Sequence, residues 1–434
     1  MISASAVLLA FAATAAGLPD PGDSLAMDLS GWVSIALEES PDIASSNASV
    51  SIAEAGVLGS RSFLWPDLNL SASAGHTWTG PGSIPGGTDE DYSSYSYSLS
   101  LSQELLGQGG ASWLDLRASR YGLAASRASH REQLLGKVME VLSAYYGVVE
   151  ARELLVSARR ALERSTGQLE RIRALYEMGG ATSLELTQAQ VSESRDRLTA
   201  ATRQQALTTA YYDLYESAGI EPDGRYGVNF NSVLEPLSRE QTESLSLDYT
   251  ENPGLKAAEL GVSESSTQLS ARRRSYWPTL SARGSWSWSD DEADLDGIPD
   301  NDSWNVSLNL SWSIFDGWLR ESSIQTARAT YLRSRATLES VEQSLATGVA
   351  GSRDRLLNAI ESYEVALLAR EYSLRQLDLS RRSYEMGALS LLDLLDAQQQ
   401  LAEAEASVVS ARRECLVEEA NLLVLLGRTP RLGE

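Results

Sequence analysis

The chain has 434 residues, of which 43% are hydrophobic and 22% charged, and its formal net charge is −23. That length suffices for two or three ordinary domains. The charged fraction, with no run of eighteen apolar residues after the N-terminus, excludes a helical membrane protein, and the acidity excludes a nucleic-acid surface, which needs a basic patch.

The N-terminus, "MISASAVLLAFAATAAGLPDPGD", has an apolar stretch from Ala6 to Ala13 and ends it on Ala13-Thr14-Ala15, an A-x-A cleavage pattern. Residues 1–17 are expected to be a signal peptide, although a positive n-region is missing. A helix-like segment follows, and then the period changes. In "DLNLSASAGHTW" (67–78), Leu68, Leu70, Ala72, Ala74 and Trp78 share one face, opposite Asn69, Ser71, Ser73 and Thr77. "YSYSLSLS" (95–102) sets Tyr95, Tyr97, Leu99 and Leu101 against serines. Period 2 over about ten residues predicts strands with one apolar and one polar face. The stretch from Ala111 to Met178 contains no proline; as a helix it would run roughly 100 Å at ~1.5 Å per residue.

The plan then repeats. "YEMGGATSLELTQAQ" at 176–190 and "YEMGALSLLDLLDAQ" at 384–398 lie 208 residues apart. "SPDI" (40–43) matches "NPGL" (252–255), and Trp65-Pro66 matches Trp277-Pro278, both at an offset of 212. The chain thus reads as a tandem duplication. The first repeat spans 18–217, with a strand hairpin at 67–102 and a helical hairpin at 111–217. A linker spans 218–238. The second repeat spans 239–427, with a strand hairpin at 279–313 and a helical hairpin at 318–427, and 428–434 forms a tail. In the second pair of strands Leu280, Ala282, Trp286 and Trp288, then Trp304, Val306, Leu308, Leu310 and Trp312, form the apolar face.

Two stripes at spacings of three, four and seven predict coiled-coil seams. One runs through Leu338, Val341, Leu345, Val349, Leu356, Ile360, Tyr363, Leu367, Leu374 and Leu377; the other through Leu394, Ala397, Leu401, Ala404, Val408, Ala411, Cys415 and Leu422. Cys415, the single cysteine, is therefore expected to pack rather than react. His76 and His130 have no Cys or His neighbours that would make a metal site.

Aromatic residues near the strand ends fit the girdles of an outer-membrane barrel. A soluble antiparallel sheet packed on a core is the other reading. In lipid, an open four-stranded sheet leaves unpaired backbone groups at both edges, so such a chain must assemble, most simply by closed rotation. Small Ser, Asn, Gly and Thr side chains on the polar face suit a water-filled lumen. An eight-stranded barrel is filled by its own side chains, so a trimer fits better than a dimer.

With "NPGL", "YWPTLSARGSW", "VSLNLSWSIFDG" and "YEMGALSLLDLLDAQ" in this order, nearly the whole mature chain resembles the TolC-like outer membrane efflux proteins. The resemblance implies a homotrimer with a 12-stranded β-barrel, four strands per chain, continued by a long α-helical coiled-coil tunnel in the periplasm. It implies a passive exit duct of a tripartite efflux or type I secretion system. The implied partners are outer-membrane lipid, a periplasmic adaptor (membrane fusion protein) and an inner-membrane transporter, with no cofactor.

In each repeated phrase a helix stops at glycine, Gly179 or Gly387, and the next starts with a capping box, Thr182-x-x-Glu185 or Ser390-x-x-Asp393. Local helix chemistry explains these residues. It does not explain Asp396, which lies on the same face as Asp393 and matches Gln188 in the first copy. The resemblance carries the family's acidic pore gate onto Asp393 and Asp396, and a tyrosine–acid tie onto Tyr384 and Glu185. The family pattern has an arginine two residues after the glycine; here that position is Leu389, so a tie between subunits lacks its arginine. The turns bearing Tyr176, Met178, Gly179, Met386 and Gly387 are where an adaptor is expected to dock. In "DDEADLDGIPDNDSW", Asp294, Asp296, Asp300 and Asp302 around Gly297 resemble a calcium loop, without the bidentate Glu of an EF-hand.

No nucleophile with a His partner, metal cluster or phosphate loop supports an enzyme. A periplasmic coiled-coil adaptor, or a structural protein without a pore, is the alternative; an adaptor would carry one helical hairpin instead of two. The duct reading predicts heat-resistant trimers that need detergent for extraction and that conduct ions in planar bilayers. A protein that stays in solution without detergent would contradict it.

Overall fold

The computed structural model of the chain describes residues 25–78, 92–230, 234–291 and 302–432. The expected signal peptide and Asp294, Asp296 and Asp300 of the acidic loop lie outside the described residues. In chain order the elements are β1 (Leu25–Met27), α1 (Leu29–Glu39), α2 (Pro41–Gly59), β2 (Asp67–Thr77), β3 (Tyr92–Leu106), α3 (Ala111–Glu177) and α4 (Ser183–Ala218). The second half continues with β4 (Tyr226–Val228), α5 (Arg239–Glu243), α6 (Pro253–Arg273), β5 (Thr279–Asp290), β6 (Asp302–Ser311), α7 (Leu319–Glu385) and α8 (Leu391–Leu425). A single 3-10 turn precedes each of β2 and β5, at Ser62–Leu64 and Arg274–Tyr276. The chain divides into two compact units, one of residues 1–46, 131–252 and 344–434, the other of 47–130 and 253–343.

The second unit is built on a four-stranded antiparallel sheet in the order β2-β3-β5-β6. Its register puts like beside like: Leu70 opposite Leu99, Leu99 opposite Trp286, and Trp286 opposite Trp304. On the other face, serine hydroxyls meet in pairs across the strands, Ser71 with Ser98 at 2.7 Å, Ser73 with Ser96 at 2.8 Å, and Ser287 with Ser303 at 2.8 Å. A one-residue slip would turn every side chain to the wrong face, so this pattern fixes the pairing. The outer strands β2 and β6 are exposed along their whole length in the single chain. Strand β3 is longer than the alternation from 95 to 102 suggests, because its ladder with β5 continues beyond the alternating residues, through a register shift between Glu104 and Leu106. Backbone pairing needs no side-chain pattern.

The first unit is helical. Its main core gathers Trp32 and Val33 of α1, Val141, Leu142 and Tyr145 of α3, Leu214 and Tyr215 of α4, and Leu416 of α8. Trp32 is fully buried, edge-on to Tyr215 at 5.4 Å, and its indole N–H donates to the Gly227 carbonyl at 3.4 Å. The Tyr215 hydroxyl donates to the Tyr226 carbonyl at 2.8 Å. Both bonds hold β4, which pairs in parallel with β1. The stretch expected to be a linker is thus partly built into this core. Three-residue strands carry too little periodicity to be seen in sequence, and their partners are about 200 residues apart.

Helices α7 and α8 pack along the expected seam. All eight stripe residues of α8 from Leu394 to Leu422 are buried. On α7, Leu345, Val349, Leu356 and Ile360 are buried, whereas Leu374 is exposed. A fully buried leucine contributes about 2 kcal/mol, so the seam supports helices far longer than the usual ~11–12 residues. Cys415 is fully buried beside Val349, Leu356 and Leu422. Burial pushes its thiol up to about 12, which fits packing rather than reactivity.

Helices α4 and α8 end at Gly219 and Gly427, both left-handed, with φ of 73° and 74°. A Cβ on Gly219 would sit 2.9 Å from the Ser40 Cα, and one on Gly427 would sit 2.8 Å from the Glu251 carbonyl. Each glycine therefore abuts the residues just before a helix-starting proline, Pro41 or Pro253. Gly179, with φ of 77°, has open space around it. Gly219→Ala and Gly427→Ala should lower the temperature at which the trimer dissociates on denaturing gels far more than Gly179→Ala. The last carries only the left-handed penalty of about 1–2 kcal/mol. Equal shifts would show that the close approach is relieved at no cost.

Candidate functional site

The two helical hairpin turns share one construction. After α3, the Gly179 N–H donates to the Tyr176 carbonyl at 3.0 Å and the Gly180 N–H to Leu175 at 2.7 Å. After α7, the Gly387 N–H donates to Tyr384 and the Ala388 N–H to Ser383, both at 2.9 Å. These paired bonds close the helix end, with glycine supplying the left-handed residue. The returning helices are then capped reciprocally. Thr182 Oγ1 accepts from the Glu185 N–H at 3.2 Å while Glu185 Oε2 accepts from the Thr182 N–H at 2.7 Å. Ser390 Oγ accepts from the Asp393 N–H at 3.3 Å, and Asp393 Oδ2 accepts from the Ser390 N–H at 3.3 Å and its hydroxyl at 2.5 Å.

The two tips pack on each other. Ile172 of α3, Ala189 of α4 and Leu391 of α8 are buried together, with Tyr384 and Leu395 against them. Arg171 of α3 faces Glu385 of α7 at 3.8 Å, and Arg195 of α4 donates to Gln399 of α8 at 2.7 Å. Burial, and then the nearby negative charge of Glu185, raise the Tyr384 phenol above its ordinary value. Glu185 itself is held below the usual carboxylate range by the Thr182 N–H and hydroxyl. Its bonds go to its own cap, and Tyr384 senses it through charge.

Asp393 and Asp396 are both exposed in the single chain. Asp393 is engaged in its cap, whereas among the described residues Asp396 Oδ2 accepts only from the Gln400 side chain one turn on, at 2.7 Å. Asp396 lies in a groove of about 840 Å³ that also takes in Gln399 and Glu403 of α8, Gln188 and Arg195 of α4, and Arg164 of α3. The matched positions Gln188 and Asp396 of the two hairpins therefore share one concave surface, with an amide on the first hairpin where the second has a carboxylate.

Met178 and Met386 are each 76% exposed at the tips, and Tyr176 is exposed as well. Leu184 and Leu392, second residues of α4 and α8, are also exposed, and the sequence reading missed both. They stand at the same 208-residue offset as the repeated phrases, which is the signal that could have found them. Of the acidic-loop candidates, Asp302 is described, and its Oδ2 accepts from the indoles of Trp286 at 3.1 Å and Trp304 at 3.2 Å. His76 contacts the Ser93 hydroxyl at 3.0 Å.

A duplicated unit of strand hairpin and long helical hairpin, with an open four-stranded sheet, defines a protomer of a membrane channel that is completed by assembly. The chain belongs to the outer membrane efflux protein family, which it matches over residues 32–220 and 246–428. It is 22% identical over 399 residues to the outer membrane protein TolC of Vibrio cholerae, covering 90% of this chain and 89% of that one. It is 27% identical to protein CyaE of Bordetella pertussis, covering 96% and 86%. The solved structure of the outer membrane protein VceC of Vibrio cholerae superposes with a TM-score of 0.80 at 18% identity, covering 93% of this chain and 97% of that one. The fold is that of a trimeric channel, a twelve-stranded barrel with four strands per chain, continued by an α-helical coiled-coil tunnel. The protein is an outer-membrane exit duct of the efflux and secretion type, and these relatives are channel proteins rather than enzymes.

The capping boxes generate a pH prediction. A carboxylate whose folded pKa is depressed adds stability above its unfolded value, about 4.3, and loses it as pH falls through the folded value. Glu185→Ala should therefore speed amide hydrogen exchange at residues 182–186 about fivefold at pH 7. The difference should fade below about pH 4. A difference that persists unchanged in acid would show that the carboxylate charge plays no part.

Proposed function

We propose that this duct is held shut at its periplasmic tip by the second helical hairpin, with Asp396 as the main gate residue and Asp393 as its companion. The observation that carries the reading is the division of labour on α8: Asp393 caps the helix, while Asp396 has no capping duty and stands in the groove of the tip. Around a threefold axis these positions supply six carboxylates. At ~6 Å and an effective dielectric of about 20, two unit charges repel by roughly 3 kcal/mol, so a closed ring gathers cations or protons. Tyr384 and Glu185 are assigned to the tie between the two hairpins, a reading supported by the tip core that Tyr384 shares with α3, α4 and α8, while in the single chain Glu185 bonds its own cap.

The trimer works with a periplasmic adaptor and an inner-membrane transporter, which supplies the energy and selects the cargo. We place adaptor docking at the hairpin turns around Gly179 and Gly387, where Met178, Met386, Leu184 and Leu392 leave apolar side chains in water. Burying such side chains under a partner contributes about 1.5–3 kcal/mol each.

In planar bilayers the wild-type channel should be cation-selective and blocked by multivalent cations added from the periplasmic side. Asp396→Ala should raise the blocking concentration at least about tenfold, given the charge density removed. The double variant Asp393→Ala, Asp396→Ala should abolish the block. Unchanged selectivity and block in the double variant would remove the gate from these residues. Tyr384→Phe should raise the conductance of the closed state, and no change would release Tyr384 from the tie.

A further inference from the structure

The foot of the sheet, where the strands meet the helices, carries a duplicated motif that neither the duct nor the gate uses. In the first half it reads Arg61-Ser-Phe-Leu-Trp65-Pro66, and in the second Arg273-Arg-Ser-Tyr-Trp277-Pro278. Both arginines sit at the start of the single 3-10 turn that leads into a strand. Trp65 and Trp277 stand two residues before β2 and β5, and Trp312 follows the end of the antiparallel β6, so all three lie at one end of the sheet. Each is well over half exposed. That end adjoins the apolar face of Leu68, Leu70 and Leu310, which is exposed in the single chain.

The chain leading into each of these strands carries arginine and no acid. Although the net charge is −23, no Asp or Glu stands between Glu54 and Asp67 or between Glu264 and Asp290. Arg61, Arg272 and Arg273 are exposed and form no ion pair among the described residues. Arg274 instead donates to the Gly109 carbonyl, fixing the turn against the end of β3. Acids nearby have partners of their own: Asp67 accepts from the Asn69 side chain, Glu104 accepts from Ser112, Asp316 faces Arg320 at 3.7 Å, and Glu321 accepts from the Tyr276 hydroxyl. Trp318, 69% exposed in the same region, holds a left-handed backbone with φ of 70°. A bulky residue keeps such a conformation only where its surroundings impose it.

We propose that this foot is a binding site for the phosphate headgroups of anionic phospholipids in the leaflet facing the periplasm. It takes two motif copies per chain, each pairing arginine with an interfacial tryptophan. Indoles settle at the headgroup level, and arginines beside them meet the phosphates. A helix end also favours cations, which accounts for arginines near the ends of α2 and α6. It does not account for free guanidinium groups set beside exposed tryptophans at the margin of an apolar face. The site rests on the outer-membrane reading and adds a lipid class to it.

The test uses the full-length trimer reconstituted in phosphatidylcholine vesicles containing a small fraction of brominated lipid, with tryptophan fluorescence as the readout. Brominated phosphatidylglycerol should quench several-fold more than brominated phosphatidylcholine at equal mole fraction, with a local enrichment of about fivefold at low salt. The preference should shrink as salt screens the charge. Combining Arg61→Gln, Arg272→Gln and Arg273→Gln should equalise the two lipids while leaving the trimer and its conductance intact. Equal quenching in the wild type, or an undiminished preference in the triple variant, would overturn the site. Failure of the trimer to insert into vesicles would overturn the outer-membrane reading and the site with it.

Discussion

The unpaired edges of β2 and β6 are the constraint on which everything else depends. A backbone N–H or C=O in hydrocarbon has no water to bond, and each one left alone costs several kcal/mol. One chain supplies four strands in the order β2-β3-β5-β6, so it always presents two open edges. Closing edge to edge around a threefold axis removes them all and gives a barrel wide enough for a lumen. The serine pairs on one face and the leucines and tryptophans on the other then have their solvents assigned: water within, lipid without.

Threefold closure also explains the helices. A chain that contributes a third of a tube wall cannot bury its helices around a private core along their whole length. The α7–α8 seam uses alanine repeatedly, at Ala397, Ala404 and Ala411, which lets neighbouring helices approach closely. Larger apolar groups collect where α1, α3, α4 and α8 meet around Trp32. There β1 and β4 tie the stretch between the repeats to the start of the first, and the chain is most like an ordinary globular core.

The gate and the adaptor docking surface we propose both lie where the long helices turn back. The turn itself is generic chemistry, a glycine stop and a reciprocal cap, and it is used twice because there are two hairpins. In the proposed gate, specialisation comes from the residue the cap does not need. In the first hairpin that position is Gln188, and in the second it is Asp396. The same logic holds at the foot of the sheet, where a duplicated Arg–Trp pair has no side-chain ion pair or hydrogen bond among the described residues. Across the molecule, groups left unspent by local structure point to a partner outside the chain.

The duplication, the strand faces, the helical hairpins with their caps, and the α8 seam are all legible in the amino-acid sequence. All of these are set by interactions within a few residues or by a regular period. Spacing also assigned the capping duty of Asp393 and left Asp396 without one, whereas the gate role proposed for the pair comes from the family resemblance. Only the tertiary structure decided that the stretch expected as a linker carries a strand paired with the chain's beginning. It alone brought Gln188, Arg195 and Asp396 into one groove and set Gly219 and Gly427 against the residues before two helix-starting prolines. These arrangements join residues far apart in the chain through single close contacts, and a contact without a period leaves no trace in local sequence.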